Sequence, residues 1–280
     1  IDGITIHNFD SAVKSKYIDF LNCRFIQHKL ILLVMLSSTM CNMKNIKVNP
    51  DYILKKVSIP GTSLHVLVID EFLFNTDAVT HFAHNIAYFN PMFADNTLFP
   101  GMRDKMPMPY TQLLKRFFEA FILPKTRPES HYQSNFHSSL LSLVTCQPSS
   151  LEINQKMPHV DSCNANDYAF VHYLSSPELG GTSFYSYKPK KLVQFQQEHK
   201  SVLPEMIAKV TDSQGDHDGY ITESTSLFEK VLTIDAKFNR LVIYPANVLH
   251  SANLASPNSY CGDLSQGRLS ISSFASINIM

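Results

Sequence analysis

Apolar and polar residues are arranged differently in the two halves of the chain. Residues 51–70 alternate loosely, which predicts one or two strands interrupted at Pro60-Gly61. Residues 70–90 and residues 109–122 instead carry apolar side chains at helical spacing, and Pro124 is expected to end the second helix. The first half therefore predicts a helical layer with a short β segment.

After about residue 135, short apolar runs recur at the spacing of strands. The runs are LLSLVTC, YAFVHYL, TSFYSY, RLVIYP and LSISSF. Runs of this length between turn residues are typical of an antiparallel β-sandwich or jelly roll. Residues 190–212 interrupt the series and predict a helical insertion between strands.

The length of 280 residues suffices for one large domain or two small ones. We predict an N-terminal strand and helix layer at residues 43–134 and a β core at residues 135–280. The chain begins with Ile1, and Met43 opens a stretch that resembles a second start, so we expect residues 1–42 to be an extension outside the functional fold. Deleting residues 1–42 should then leave a soluble and active product.

Composition excludes several classes of protein. Apolar residues make up 44% of the chain and charged residues 17%, which is typical of a folded globular protein. Lys+Arg and Asp+Glu both number 24, so no net charge favours nucleic acid or an anionic membrane as a partner. The longest apolar run, residues 30–36, is too short to span a bilayer, and a signal peptide is the less favoured interpretation of it. Five cysteines without a C-x-x-C pair fit a reducing cytoplasm.

The first candidates for a metal-binding site are His159 and Asp161, which are two positions apart. In an extended segment such residues point to the same side, so both side chains can reach one metal ion. His250 follows 89 positions after Asp161, at the end of an apolar run. Two histidines and one carboxylate form the facial triad of non-haem Fe(II) oxygenases, which leaves coordination positions open. A satisfied core histidine and a surface turn are the alternatives for these residues.

Arg268 and Ser270 form a second pair with the same spacing, within GRLSISSF. An arginine facing inward could hold the distant carboxylate of 2-oxoglutarate through its planar pair of donors, with the Ser270 hydroxyl beside it. Pairing of Arg268 with a buried acid is the alternative. Arg103 and Tyr110, in and after a proline-rich loop, are candidates for contact with the substrate.

Four blocks of the chain resemble the Fe(II)/2-oxoglutarate-dependent dioxygenases, in particular an uncharacterised bacterial subgroup of the prolyl-hydroxylase-like branch. The blocks are PHVDS, HYLSSPELGGTSFY, FNRLVIYPANVLHSA and GRLSISSF, and FPGMR also matches the subgroup. The resemblance covers about residues 51–280. It implies a double-stranded β-helix of the jelly-roll or cupin-like kind, mainly β with a helical N-terminal layer. It also implies that His159, Asp161 and His250 bind iron, that Arg268 holds 2-oxoglutarate, and that Tyr173 bonds to the same carboxylate.

The expected function is a hydroxylase that uses Fe(II), 2-oxoglutarate and O₂ and releases succinate and CO₂. Its substrate would be an amino acid, a peptidyl residue or a small metabolite, with no nucleic acid or membrane as partner. Two alternatives stay open. One is a metal-binding jelly roll without catalytic activity, and the other is a cupin-like dioxygenase that does not use 2-oxoglutarate.

Overall fold

A computed structural model describes residues 43–128 and 132–279 of the chain. The predicted extension at residues 1–42 lies outside these residues. The described strands, numbered in chain order, are β1 Ile53–Ser58, β2 His65–Asp70, β3 Gly101–Lys105, β4 Tyr132–Val144, β5 Asp167–Tyr173, β6 Thr182–Tyr187, β7 Phe228–Ile234, β8 Arg240–Pro245, β9 His250–Ala252 and β10 Leu269–Ile279. The α-helices of more than one turn are α1 Asp77–Asn85, α2 Met108–Phe117 and α3 Val202–Asp212.

The described strands form two antiparallel sheets. The larger sheet has seven strands in the order β1-β2-β8-β5-β10-β4-β3, and the smaller has three in the order β7-β6-β9. The five apolar runs predicted as strands are confirmed, since they lie in or largely overlap β4, β5, β6, β8 and β10. The protein is thus mainly β with some helices, as predicted from the apolar pattern.

Alternation along the strands separates the two faces of the larger sheet. On β5, Ala169, Val171 and Tyr173 face a core that also contains Phe184 and Ile234 of the smaller sheet. This core therefore lies between the two sheets. Residues of the opposite parity, such as Phe170 and His172, face the helical layer instead.

The helical layer packs on the outer face through aromatic side chains. Phe118, just after α2, contacts Phe170 with ring centroids 5.0 Å apart, and Phe72 contacts His172 at 5.3 Å. Full burial of each such phenylalanine contributes about 1.5–3 kcal/mol. The predicted end of the second helix at Pro124 is wrong, because α2 continues through a π-helical turn, Phe118–Ile122, into a last helical turn, Leu123–Thr126. Pro124 occupies the first turn of this last segment, where a missing N–H costs little.

The predicted insertion at residues 190–212 is helical mainly in its second half. Helix α3 covers Val202–Asp212, after a single 3₁₀ turn at Gln197–His199, whereas Leu192 and Gln194 form β-bridges with Tyr187 and Val248. Val193 and Phe195 are buried at alternate positions, which is the period of an extended strand and not of a helix. The prediction from apolar content alone was wrong for these residues.

Gly180 is a position where only glycine fits, just before β6. Its φ is +87°, and a Cβ atom there would lie 1.6 Å from the backbone oxygen of Asn253. We expect Gly180→Ala to lower the free energy of unfolding by at least about 2 kcal/mol, through both backbone strain and the clash. Urea unfolding measures this change. Gly215→Ala is the control, because a Cβ there meets nothing within 4 Å, and an equal loss in both variants would contradict the explanation.

Candidate metal centre

The His-x-Asp segment is held against the start of β9 by backbone hydrogen bonds. The His159 N–H donates to the His250 carbonyl at 2.8 Å, and the His250 N–H donates to the His159 carbonyl at 2.9 Å. The Asp161 N–H donates to the Ala246 carbonyl at 2.9 Å. Residues far apart in the chain are thereby fixed side by side, next to the smaller sheet.

The side chains of His159, Asp161 and His250 converge on one point. One ligand atom from each residue lies within 4.8 Å of the other two. The His159 Nε2 atom is 3.6 Å from Asp161 Oδ1, and the His250 Nε2 atom is 3.5 Å from Asp161 Oδ2. The arrangement brings together the three residues predicted from the sequence as metal ligands.

The hydrogen bond of His250 selects the tautomer that can bind a metal ion. Its Nδ1 lies 2.8 Å from the Val248 carbonyl, and because a carbonyl only accepts, Nδ1 carries the proton. The Nε2 lone pair then faces Asp161. Burial lowers the pKa of His250 to about 4, so the imidazole is neutral at pH 7 and is in the form that metals bind.

The Asp161 carboxylate is ionised in this surrounding. Burial raises the pKa of Asp161, but the neighbouring His250, His159 and Arg103 together hold that pKa below its usual value. The Asp161 side chain is 19% exposed and the His159 side chain 54%, so the cluster is accessible from one side. Two imidazole nitrogens and one carboxylate are the donors that divalent transition metals bind, and the three residues therefore fit a metal ion.

Arg268 is a buried residue that directly precedes β10 of the larger sheet. It is 3% exposed, and its Nη2 donates to the Gly181 carbonyl at 3.3 Å while its Nε–H is buried and makes no hydrogen bond. No ion pair formed within residues 43–128 and 132–279 includes Arg268, so the predicted alternative of a buried acidic partner finds no support there. Burial lowers the pKa of Arg268, although arginine remains charged at neutral pH.

Tyr173 and Ser270 are neighbours in the same region. The guanidinium carbon of Arg268 is 5.5 Å from the centre of the Tyr173 ring, and the Tyr173 hydroxyl lies 2.6 Å from Thr182 Oγ1. Ser270 is buried directly across from Tyr173 in the β10–β5 pairing. The structure thus brings both residues close to Arg268, and their predicted contact with a co-substrate stays a prediction.

Tyr244 is a site residue that the sequence analysis did not single out. Its ring lies 4.8 Å from the His250 ring, next to the metal cluster. Burial raises its pKa well above the ordinary value, which keeps the hydroxyl protonated. The available signal was the two-residue period of β8, which places Tyr244 on the inner face together with Val242.

A cavity of about 560 Å³ opens beside His159 and Asp161. Arg103 lines it together with residues of β4, β10 and α3, and its predicted contact with substrate stays a prediction. Most of the lining side chains are apolar. This volume is within the range of cavities that hold small molecules.

Tyr110 does not belong to this cavity. It is fully buried in α2, on the outer face of the larger sheet, and its hydroxyl lies 3.1 Å from His172 Nδ1. The predicted contact of Tyr110 with substrate is therefore corrected. An amphipathic helix buries one side, and Tyr110 lies on the buried side with Leu113 and Leu114.

The buried His172 makes stability depend on pH. Its Nε2 faces Asn239 Oδ1 at 3.1 Å, and burial lowers its pKa from 6.5 to about 4. Because the pKa is lower in the folded protein, the stability is complete above pH 6.5 and is lost as the pH falls towards 4. The loss reaches about 3 kcal/mol, at 1.36 kcal/mol per pKa unit.

We therefore expect the His172→Gln variant to show a shallower fall in stability between pH 6.5 and 4 than the wild type. Urea unfolding at a series of pH values measures the two slopes. His250 titrates over the same interval in both proteins and does not affect the comparison. Parallel slopes would rule out His172 as a source of the acid sensitivity.

The described residues define an antiparallel β protein with a His–Asp–His cluster that could hold a metal ion. The chain belongs to the Family of unknown function (DUF6445), whose model matches residues 50–275. No curated protein matches the chain.

Several solved structures are similar to this chain at low identity. HygX from Streptomyces hygroscopicus, with nickel, 2-oxoglutarate and hygromycin B bound, is 14% identical over 75% of this chain and 82% of its own, with a TM-score of 0.38. The non-heme alpha ketoglutarate dependent epimerase SnoN from nogalamycin biosynthesis is 12% identical over 71% and 69%, with a TM-score of 0.36. An N-substituted L-amino acid dioxygenase from Burkholderia ambifaria is 8% identical over 80% and 94%, with a TM-score of 0.39. TM-scores below 0.5 do not establish a common fold, so the proposals for this chain rest on its own residues.

Among residues 43–128 and 132–279, no helix has both the length and the apolar composition that crossing a membrane requires.

Proposed function

We propose that this protein is an Fe(II)- and 2-oxoglutarate-dependent oxygenase built on a double-stranded β-helix. The observation that carries the proposal is the buried Arg268, which has no acidic partner in the described chain, near a His–Asp–His cluster. A buried charge without a partner is costly, so a site that keeps one is expected to receive an anion. The resemblance of the sequence blocks supports 2-oxoglutarate as that anion.

In this proposal His159, Asp161 and His250 hold Fe(II), and Arg268 holds the distant carboxylate of 2-oxoglutarate. When bound, iron and 2-oxoglutarate supply the oxidising chemistry that consumes O₂ and releases succinate and CO₂. The chain supplies orientation. The Val248 carbonyl fixes the His250 ring, the Gly181 carbonyl holds one edge of Arg268, and Tyr173 and Ser270 stand beside the carboxylate position.

The product of the reaction would be a hydroxylated amino acid, peptidyl residue or small metabolite. The cavity beside the cluster admits a small molecule or a side chain of a peptide. Neither nucleic acid nor a membrane is expected as a partner, because the net charge of the chain is zero. We also propose that the protein is cytoplasmic, and that residues 43–134 form a strand and helix layer next to a β core of residues 135–280.

An anaerobic titration tests the proposal. Fe(II) and then 2-oxoglutarate are added to metal-free protein, and the visible absorption is recorded. We expect the weak charge-transfer band of a keto acid chelated to Fe(II). Metal binding without the band would contradict the use of 2-oxoglutarate and favour a cupin-like enzyme or a non-catalytic metal protein. Failure to bind metal would contradict the site itself.

A further inference from the structure

The cavity next to the His–Asp–His cluster has an uneven distribution of charge. Its lining includes the apolar side chains of Leu140, Met206 and Phe274. Among the lining residues that the structure describes, Arg103 is the only lysine or arginine. A molecule that fills this space must therefore have an apolar body. Any acidic group on that molecule outside the metal cluster finds its partner at Arg103.

Arg103 is held in a fixed orientation by its neighbours. Its Nε–H donates to Ser142 Oγ at 3.2 Å, and its Nη1 donates to Asp95 Oδ2 at 3.2 Å and to Thr97 Oγ1 at 3.1 Å. The guanidinium carbon also lies 4.0 Å from the centre of the Phe99 ring, in a cation–π contact. Because the side chain is already ordered, a ligand that binds it has little ordering cost to overcome.

The remaining donors of Arg103 are those of Nη2. The hydrogen bonds among the described residues use Nε and Nη1 of this side chain but not Nη2. Two carboxylates neighbour Arg103: Asp161 belongs to the metal cluster, and Asp95 is shared, since its Oδ1 accepts hydrogen bonds from the Thr97 N–H and hydroxyl at 3.1 Å and 2.8 Å. An arginine with two donors unused, in a mostly apolar cavity, suits a carboxylate.

We propose that the cavity takes an anionic amphiphile, a molecule with an apolar body and a carboxylate, and that Arg103 selects it by binding the carboxylate. The claim that this molecule is the substrate rests on the proposed oxygenase function, whereas the claim that it binds in the cavity does not. Arg103 thereby determines specificity, and the apolar lining places the body of the molecule beside His159 and Asp161.

The chain contains no tryptophan, so a single introduced one reports on the cavity. Leu203 lines the cavity from α3, and Leu203→Trp serves as the emitter. The probes are decanoate and decan-1-ol, which share an alkyl chain and differ in charge, titrated into metal-free protein. We expect decanoate to bind at least about tenfold more tightly than decan-1-ol, because a hydrogen bond between charged groups strengthens binding by about this factor or more. Adding Arg103→Gln should remove this preference and leave the binding of decan-1-ol unchanged.

Two further variants make the outcome decisive. Arg116→Gln, at an exposed arginine of α2, should keep the preference for decanoate. Arg268→Met tests the other cationic site, and loss of the preference there but not in Arg103→Gln would overturn the proposal. Equal binding of the two probes, or no binding of either, would also overturn it. Because neither metal nor 2-oxoglutarate is present, this result and that of the anaerobic titration are independent, and unchanged binding of decan-1-ol shows that each variant is folded.

Discussion

Replacement of Arg268 by methionine is expected to weaken the binding of 2-oxoglutarate by about 100-fold or more. The variant loses the charge-assisted hydrogen bonds of a planar guanidinium, each of which contributes about 1.5–3 kcal/mol. Methionine, like arginine, is unbranched at Cβ, so the substitution introduces no strain from β-branching. The titration of the charge-transfer band with 2-oxoglutarate, under anaerobic conditions, gives the two affinities.

The stability of the ligand-free protein provides the accompanying test for Arg268. Since the guanidinium is buried with an unpartnered Nε–H, Arg268→Met should unfold at the same temperature as the wild type or higher. A residue that only supports the fold would show the reverse, with lower stability and unchanged affinity. Arg116→Met, at an exposed site, is the control and should change neither quantity.

Replacement of Asp161 by asparagine is expected to lower the affinity for Fe(II) by at least about 100-fold. The amide has the shape of the carboxylate but neither its charge nor its basicity, and it leaves two neutral imidazoles to bind the metal. Loss of a group that merely orients a ligand already costs 10–100-fold, and loss of a ligand should cost at least as much. Anaerobic calorimetry with Fe(II) measures the affinities.

Asp218→Asn is the matched control, because Asp218 is exposed and lies outside the cluster. Fe(II) should raise the unfolding temperature of the wild type and of Asp218→Asn, since a ligand that binds only the folded state stabilises it. It should leave the unfolding temperature of Asp161→Asn nearly unchanged. Equal Fe(II) affinity in all three proteins would show that Asp161 is not a ligand.

The candidate site is assembled from both sheets. His250 begins β9 of the smaller sheet, and His159 pairs with it, whereas Tyr173 lies on β5 of the larger sheet and Arg268 directly precedes β10. The apolar core between the sheets includes Tyr173 of the larger sheet and Phe184 of the smaller one. Arg268→Met is therefore expected to weaken the binding of 2-oxoglutarate while the three metal ligands stay in place.

Local patterns sufficed for those features that depend on neighbouring residues. The two-residue period of a strand places His159 and Asp161 on one side of the chain, and it predicted the apolar strands of the β core. Order along the chain then predicts that His250 and Arg268 belong to the same site. For residues 190–201 the helix prediction is wrong, because apolar content alone does not distinguish the alternate buried positions of an extended segment from those of a helix.

The order and spacing of the residues predict the available chemical groups: two imidazoles, a carboxylate and an arginine, on extended segments whose alternation directs side chains to one face. The side chains that surround these groups became known from the folded structure. Tyr110 turned out to face His172 on the outer side of the sheet, and Tyr244 lies beside His250. The partners of Arg103 likewise depend on a loop folded against β4. Such contacts depend on strand register and on packing between distant segments, which no local pattern contains.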